Sequence, residues 1–245
     1  RDHGGFEGNA QTLRILSRLE KYSEDLGMNL TRRTLLGVLK YPCVFSVLWN
    51  ATKERHIPTQ FHELDQNEWK TAKCYYGEEE DIVDWILSEF AQQDQSSFKS
   101  SNNQPLENHC SKYKSFDCSI MELADDIAYA VHDFEDGFEL GLFNEHLIDK
   151  LIEHTFSNKK FKGYLTKVRQ YSDADILKMK KLSSLKKLVS VWIGFLISSI
   201  EIKENDINFE CPYLQYKAVL NVEAEALLND LKRIVDVNII KSFHN

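Results

Sequence analysis

Hydrophobic residues recur along most of this chain at the three-to-four-residue spacing of amphipathic helices. That spacing predicts helices over about 8 to 25, 31 to 40, 79 to 92, 119 to 136, 143 to 156, 173 to 202 with a break, and 222 to 242. Thr31, Ser119, and Ser172 or Asp173 stand where N-caps belong, ahead of the periodic runs. No run alternates in the manner of a strand and the chain holds only four prolines, so the expected class is all-α, in a single domain over 1–245. From 92 to 113 the chain is rich in Gln, Ser and Asn and poor in large apolar side chains, and reads as a long polar loop of disordered composition.

The stretch from Ser119 to Asp136 is the most informative, because neither Gly nor Pro breaks it and its two faces differ in kind. At about 100° per residue, Ile120, Leu123, Ile127, Val131 and Phe134 gather on one side and face a core. Asp125, Tyr129, His132, Asp133 and Asp136 form the opposite stripe, which is the composition of a metal or phosphate-chemistry site. An acidic stripe is more often a solvated face, and the aromatic ring set between aspartates is what argues for chemistry here.

Composition adds bounds. With 245 residues, 42% of them hydrophobic and 28% charged, the chain can bury a core without disulfides. Its five cysteines (43, 74, 110, 118 and 211) are an odd number without CxxC spacing, which fits reduced thiols in a cytoplasm and not a paired secreted scaffold. The longest apolar run, 188–200, is shorter than the ~20 residues a membrane span needs, so it is expected to be a buried helix and no membrane partner is expected. A formal net charge of −8 argues against a protein that coats nucleic acid. The basic run Lys178–Lys187 reads as a solvated helix face, with a nucleoside triphosphate or single-stranded DNA left open as its partner. His3 and Glu7 have helical ligand spacing but lack a partner cluster, and His56, His62 and His109 sit in polar connecting segments without metal-ligand spacing.

Three blocks in order carry a resemblance: Gly4-Gly-Phe-Glu-Gly-Asn-Ala-Gln-Thr-Leu-Arg-Ile-Leu16, then Thr34-Leu-Leu-Gly-Val-Leu-Lys-Tyr-Pro42, then Glu122-Leu-Ala-Asp-Asp-Ile-Ala-Tyr129. Together they resemble the deoxyguanosine triphosphate triphosphohydrolases, a branch of the HD-domain metal phosphohydrolases, through most of residues 4 to 136. The resemblance implies an HD-domain-like helical bundle and hydrolysis of a deoxynucleoside triphosphate to deoxynucleoside and tripolyphosphate. It also implies a divalent metal cofactor, Mg, Mn or another transition metal, and a homo-oligomer, with a hexamer common in the family.

By resemblance Asp125 is a metal ligand, Tyr129 lies against the deoxyribose where a 2′-hydroxyl would clash, and Asp133 accepts a hydrogen bond from the 3′-hydroxyl. Spacing at i, i+4 and i+8 sets these three along one helix face, each about 6 Å further along the axis. Asp126 does not fit that register. Lys40 matches the family lysine that contacts the triphosphate; the alternative is a cation decorating a helix C-terminus. Tyr41, pushed toward extended backbone by Pro42, either lines the pocket or only packs. Asn9 is the expected substrate contact in the first block, and Arg14 a surface salt-bridge partner. The family's first metal-binding histidine, its His-Asp pair and its catalytic histidine and glutamate would lie ahead of the first block, and none is found, so the chain reads as an internal portion of a longer enzyme. Two alternatives stay open: an HD phosphohydrolase with another nucleotide substrate, and a non-catalytic regulatory or oligomerisation subunit.

Overall fold

The computed structural model describes residues 5–22, 26–54, 56, 59–60, 69–104, 107–180 and 185–237. His3, His62, the middle of the basic run and the ends of the helix expected to reach 242 lie outside the described residues. The fold is an all-α, HD-like helical bundle, with two small two-stranded sheets among the described residues. It divides into two compact units where the sequence suggested one domain: 1–121 with 203–217, and 122–202 with 218–245.

In the first unit, Gly8–Arg14 (α1) is capped by the Glu7 carboxylate, which accepts from the Ala10 N–H at 2.8 Å. The helix then widens into a π turn over Ile15–Leu19. Arg32–Val38 (α2) opens on Thr31, whose hydroxyl accepts from the Thr34 N–H at 3.2 Å, as the sequence indicated. Phe45–Leu48 (α3), Glu80–Leu87 (α4) and Gln92–Phe98 (α5) follow. Leu13, Leu36, Val83, Ile86, Leu87 and Phe98 meet in one buried cluster, joined by Phe209 and Leu214 of the returning segment.

Helix α5 and the short antiparallel strands Ser101–Asn102 (β1) and Cys110–Ser111 (β2) occupy the stretch expected to be a polar loop. Two side chains explain the difference. Phe98 is fully buried, and the buried Asp94 carboxylate accepts backbone N–H groups of Glu210 and Cys211 at 3.1 and 2.8 Å.

Phe116–Glu139 (α6) begins three residues before the expected start. Its cap is Ser115, whose hydroxyl accepts from the Cys118 N–H at 3.2 Å and donates to the Leu36 carbonyl at 3.1 Å. Ser119, the expected cap, lies inside the helix and donates to the Phe116 carbonyl instead. Arg33 grips Asp117 in a two-pronged pair at 2.6 and 2.9 Å. That guanidinium holds the Asp117 carboxyl below the ordinary carboxylate range, so the pair's small contribution is present at neutral pH and lost as pH falls through the lowered value. At its far end α6 stops in a Schellman turn: Gly141, at φ 66°, donates to the Phe138 carbonyl and Leu142 to that of Gly137.

The second unit adds Glu145–Ser157 (α7), Lys159–Gly163 (α8) with a π turn to Val168, Asp173–Met179 (α9), Leu185–Ser198 (α10) and Val222–Val235 (α12). Ser172 caps α9 reciprocally with Asp175, as a capping box. The apolar run became the core of α10, with Leu188, Val191, Trp192, Phe195 and Leu196 all buried. Phe134 of α6 lies edge-on to Trp192 at 5.7 Å and stacks with Phe143 at 5.2 Å. Ile200–Glu204 (β3) and Tyr216–Leu220 (β4) pair, with Pro212–Gln215 (α11) between them. No helix of the described residues is long and apolar enough to cross a membrane.

One buried charge governs the first unit. Glu79 is fully buried, and Arg14 meets its Oε1 at 2.9 Å while Arg18 approaches at 3.5 Å. Arg14 also stacks over the Tyr76 ring at 4.9 Å, so it is a partly buried structural residue where a surface partner was expected. Removing the carboxylate takes the buried partner from both guanidinium groups and leaves them only their outer partners, Glu78 for Arg14 and Asp81 for Arg18. Discounted for the partial exposure of both arginines, Glu79→Ala is expected to lower unfolding free energy by about 2 to 3 kcal/mol in urea titrations.

Candidate functional site

The six expected site residues divide evenly between the two units: Asn9, Lys40 and Tyr41 in the first, Asp125, Tyr129 and Asp133 in the second. Each set is built by its own local chemistry.

In the first unit α2 ends at Val38, and the chain leaves the helix through Lys40, whose N–H donates to the Val38 carbonyl at 2.8 Å, and Tyr41 into Pro42. Lys40 and Tyr41 are both half-buried. The Tyr41 ring has a lysine ammonium on two approaches, Lys73 at 6.0 Å and Lys114 at 5.9 Å from its centre. Lys73 also pairs with the Glu7 carboxylate at 3.3 Å, and the same Glu7 oxygen accepts from the Asn9 side-chain amide at 3.0 Å. Asn9, Glu7, Lys73, Tyr41 and Lys114 therefore form one connected chain of contacts. Glu7 is buried and ties itself down further: its own N–H donates to the Tyr76 hydroxyl at 2.9 Å. Lys73 and Lys114 were not singled out from the sequence, because only folding brings positions so far apart in the chain around one ring.

In the second unit α6 turns Ile127, Val131 and Phe134 inward, all buried. Asp125, Tyr129, His132 and Asp136 are exposed on the other side, with Asp133 half-buried among them. Ile120 departs from the pattern: 44% of it is exposed although it was expected on the core side. Partial burial pushes the Tyr129 hydroxyl above its ordinary pKa, and the neighbouring Asp133 carboxylate pushes the same way, with Asp236 adding charge. Asp126, outside the register, is engaged with Lys232 at 2.9 Å.

A metal needs more than Asp125. Among the described residues no group of three or more His, Cys, Asp or Glu side chains converges as a binding cluster, so these residues do not by themselves form a metal centre. Asp125 offers one exposed carboxylate on a rigid helix.

No family model matches the chain. Individual proteins do. The chain is 39% identical over 248 residues to a deoxyguanosinetriphosphate triphosphohydrolase-like protein of Shewanella baltica, covering 98% of the chain and 54% of that protein. It is 36% identical over 249 residues to the protein of that name from Vibrio vulnificus, again with 98% and 54% covered, and 39% identical over 246 residues to that of Shewanella oneidensis. The chain spans about half the length of the curated relatives it matches. These relatives carry the name of the triphosphohydrolases that the three motif blocks resemble, a hydrolase name.

Proposed function

We propose that this chain carries the sugar-binding and phosphate-binding half of a deoxynucleoside triphosphate triphosphohydrolase. The observation that carries the reading is the register Asp125, Tyr129, Asp133 along one face of α6, the first two exposed and the third half-buried, with the Asp133 charge close enough to raise the pKa of the Tyr129 hydroxyl. An aromatic ring one turn from a carboxylate on the same helix face offers a wall for a sugar, and the carboxylate can accept a hydrogen bond from a 3′-hydroxyl. Lys40, with Lys73 and Lys114 at the ring of the adjacent Tyr41 and Asn9 on the Glu7 carboxylate that Lys73 meets, supplies the cations and the amide that a polyphosphate requires. Asp125 contributes one carboxylate to a divalent ion whose other ligands lie outside the described residues; such an ion, when bound, offsets phosphate charge and activates water. The whole protein works as a homo-oligomer in the cytoplasm on this reading.

The test is product identity. The whole protein, incubated with each of the four deoxynucleoside triphosphates and Mg²⁺ or Mn²⁺, releases deoxynucleoside and tripolyphosphate; release of pyrophosphate or orthophosphate alone overturns the reaction. A second reading, a regulatory or oligomerisation subunit, is favoured by the lack of a converged ligand cluster among the described residues. It predicts nucleotide binding without turnover by the whole protein.

The phosphate contacts have their own readout. Lys40→Ala, Lys73→Ala and Lys114→Ala are each expected to raise the Kd for tripolyphosphate about tenfold in calorimetry, equivalent to about 1.4 kcal/mol. The wild-type affinity is expected to fall as salt rises. An unchanged Kd in Lys40→Ala returns that lysine to the C-terminus of α2. Tyr129→Ala is expected to leave the helix content intact and to narrow the ratio of deoxyribonucleotide to ribonucleotide affinity by about tenfold, since the wall against a 2′-hydroxyl is gone.

A further inference from the structure

We propose that Cys43 and Cys74 are a redox pair, which a peroxide joins in an intramolecular disulfide that fastens the segment of Lys40 and Tyr41 to the segment of Lys73. Both cysteines are reduced, both are 2% exposed, and they share one small apolar cluster with Leu48 and Ala72. The geometry comes from the backbone. Val44 and Tyr75 form an isolated parallel bridge, closed by the Tyr75 N–H donating to the Cys43 carbonyl at 3.1 Å. One step earlier on each segment stand Cys43 and Cys74, opposite one another and, by the two-residue alternation, on the same face. Paired segments run about 4.8 Å apart, inside the ~4.4 to 6.8 Å Cα separation that a disulfide spans. The remaining cysteines sit on other elements: Cys110 on β2, Cys118 on α6 and Cys211 beside α11.

Reactivity sets the tempo. Burial, then the neighbouring Glu7 charge and Cys43, push the Cys74 thiol up to about 12, and burial raises Cys43 as well. Thiolate is therefore scarce, and oxidation proceeds through local opening of a bridge held by few backbone bonds. In the opened form one thiol loses its proton and its sulfur attacks a peroxide oxygen; the O–O bond breaks, water leaves and a sulfenic acid remains. The second thiol then attacks that sulfur, the S–S bond forms and the S–O bond breaks with loss of a second water. Two electrons pass from the two thiols to one peroxide. Closing the bond draws the Cβ atoms to about 3.8 Å and takes the Cys43 sulfur from the Lys99 carbonyl, to which it donates at 3.1 Å. Tyr41, two residues away, and Lys73, one residue away, move with their neighbours.

The disulfide stands on the backbone geometry; its effect on anion binding rests on the reading of the lysine cluster given above. A Cys110→Ser variant of the chain, which lacks the exposed thiol, is treated with hydrogen peroxide, alkylated while unfolded and cut with trypsin. The expected result is a covalent pair of peptides 41–53 and 74–99, absent after dithiothreitol. The tripolyphosphate Kd is expected to change at least about fivefold on oxidation, to return on reduction, and to be unmoved by peroxide in Cys43→Ser, or in Cys74→Ser if the first variant does not fold. Recovery of both cysteines as alkylated thiols, or linkage through Cys118 or Cys211, overturns the pair. Linkage of 43 to 74 with an unchanged Kd, in a protein that binds tripolyphosphate, overturns the switch. Lack of tripolyphosphate binding by the reduced protein sinks the reading of the lysine cluster and leaves the peptide result to decide the disulfide.

Discussion

Asp125→Ala is expected to remove the divalent ion from the whole protein and to lower tripolyphosphate release by at least about a thousandfold, or about 4 kcal/mol of activation free energy. The helix itself is expected to survive. Asp125 is exposed, alanine is the best helix former, and α6 is held by the opposite face, where Ile127, Val131 and Phe134 are buried. Loss of activity with unchanged circular dichroism and a metal content near zero is therefore the expected combination. The neighbouring Asp126→Ala serves as the contrast. It breaks only the partly exposed pair with Lys232, worth about 0 to 1 kcal/mol, and activity and metal content are expected to stay. Metal retained in Asp125→Ala would falsify the register, because the ion would then depend on a different carboxylate.

How much of this was legible in the sequence follows from the range over which each signal acts. The faces of α6 are a local property: a 3.6-residue period over more than four turns leaves one arrangement, and the buried and exposed positions follow it apart from Ile120. Caps at Thr31 and Ser172 are equally local. The start of α6 misleads because Ser119 stands where a cap belongs, whereas the cap is Ser115, tied by its bond to Leu36, far back in the chain. The same limit hides α5, whose polar sequence Gln-Gln-Asp-Gln-Ser-Ser becomes a packed helix only when Asp94 finds the backbone of residues 210 and 211. Ile200-Glu-Ile-Lys-Glu204 does alternate, but all five residues are exposed, so no buried face marks the strand. The candidate site divides along the same line. Asp125, Tyr129 and Asp133 are readable by spacing and resemblance, whereas Lys73 and Lys114 reach Tyr41 through tertiary folding, which leaves no periodic trace.

The largest stability effect is expected at a residue that neither binds nor catalyses. Gly27 is at φ 55°, in the left-handed region, where a side chain costs about 1 kcal/mol. Its surroundings are tighter still. A Cβ built there would lie 2.4 Å from the Ser17 carbonyl carbon, 2.5 Å from the Leu16 oxygen and 2.7 Å from the Arg18 nitrogen, all backbone atoms. The segment is held against the π turn at Ile15–Leu19, whose Leu16 carbonyl accepts from the Met28 N–H at 2.9 Å. The chain after Gly27 thus lies directly on the turn, and no side-chain rotation relieves the clash. Gly27→Ala is expected to cost at least about 3 kcal/mol, lowering Tm by roughly 6 to 12 °C for a chain of this size. Gly141→Ala isolates the first contribution from the second. Gly141 has φ 66° but nothing within 4 Å of a Cβ, so that variant is expected to lose only about 1 kcal/mol, through the dihedral alone. If the two variants melt together, the close approach of residue 27 to the π turn is not what stabilises this end of the first unit. If Gly27→Ala falls well below Gly141→Ala, the π turn after α1 is a fixed contact surface, and it anchors the end of the helix that begins beside Glu7 and Asn9.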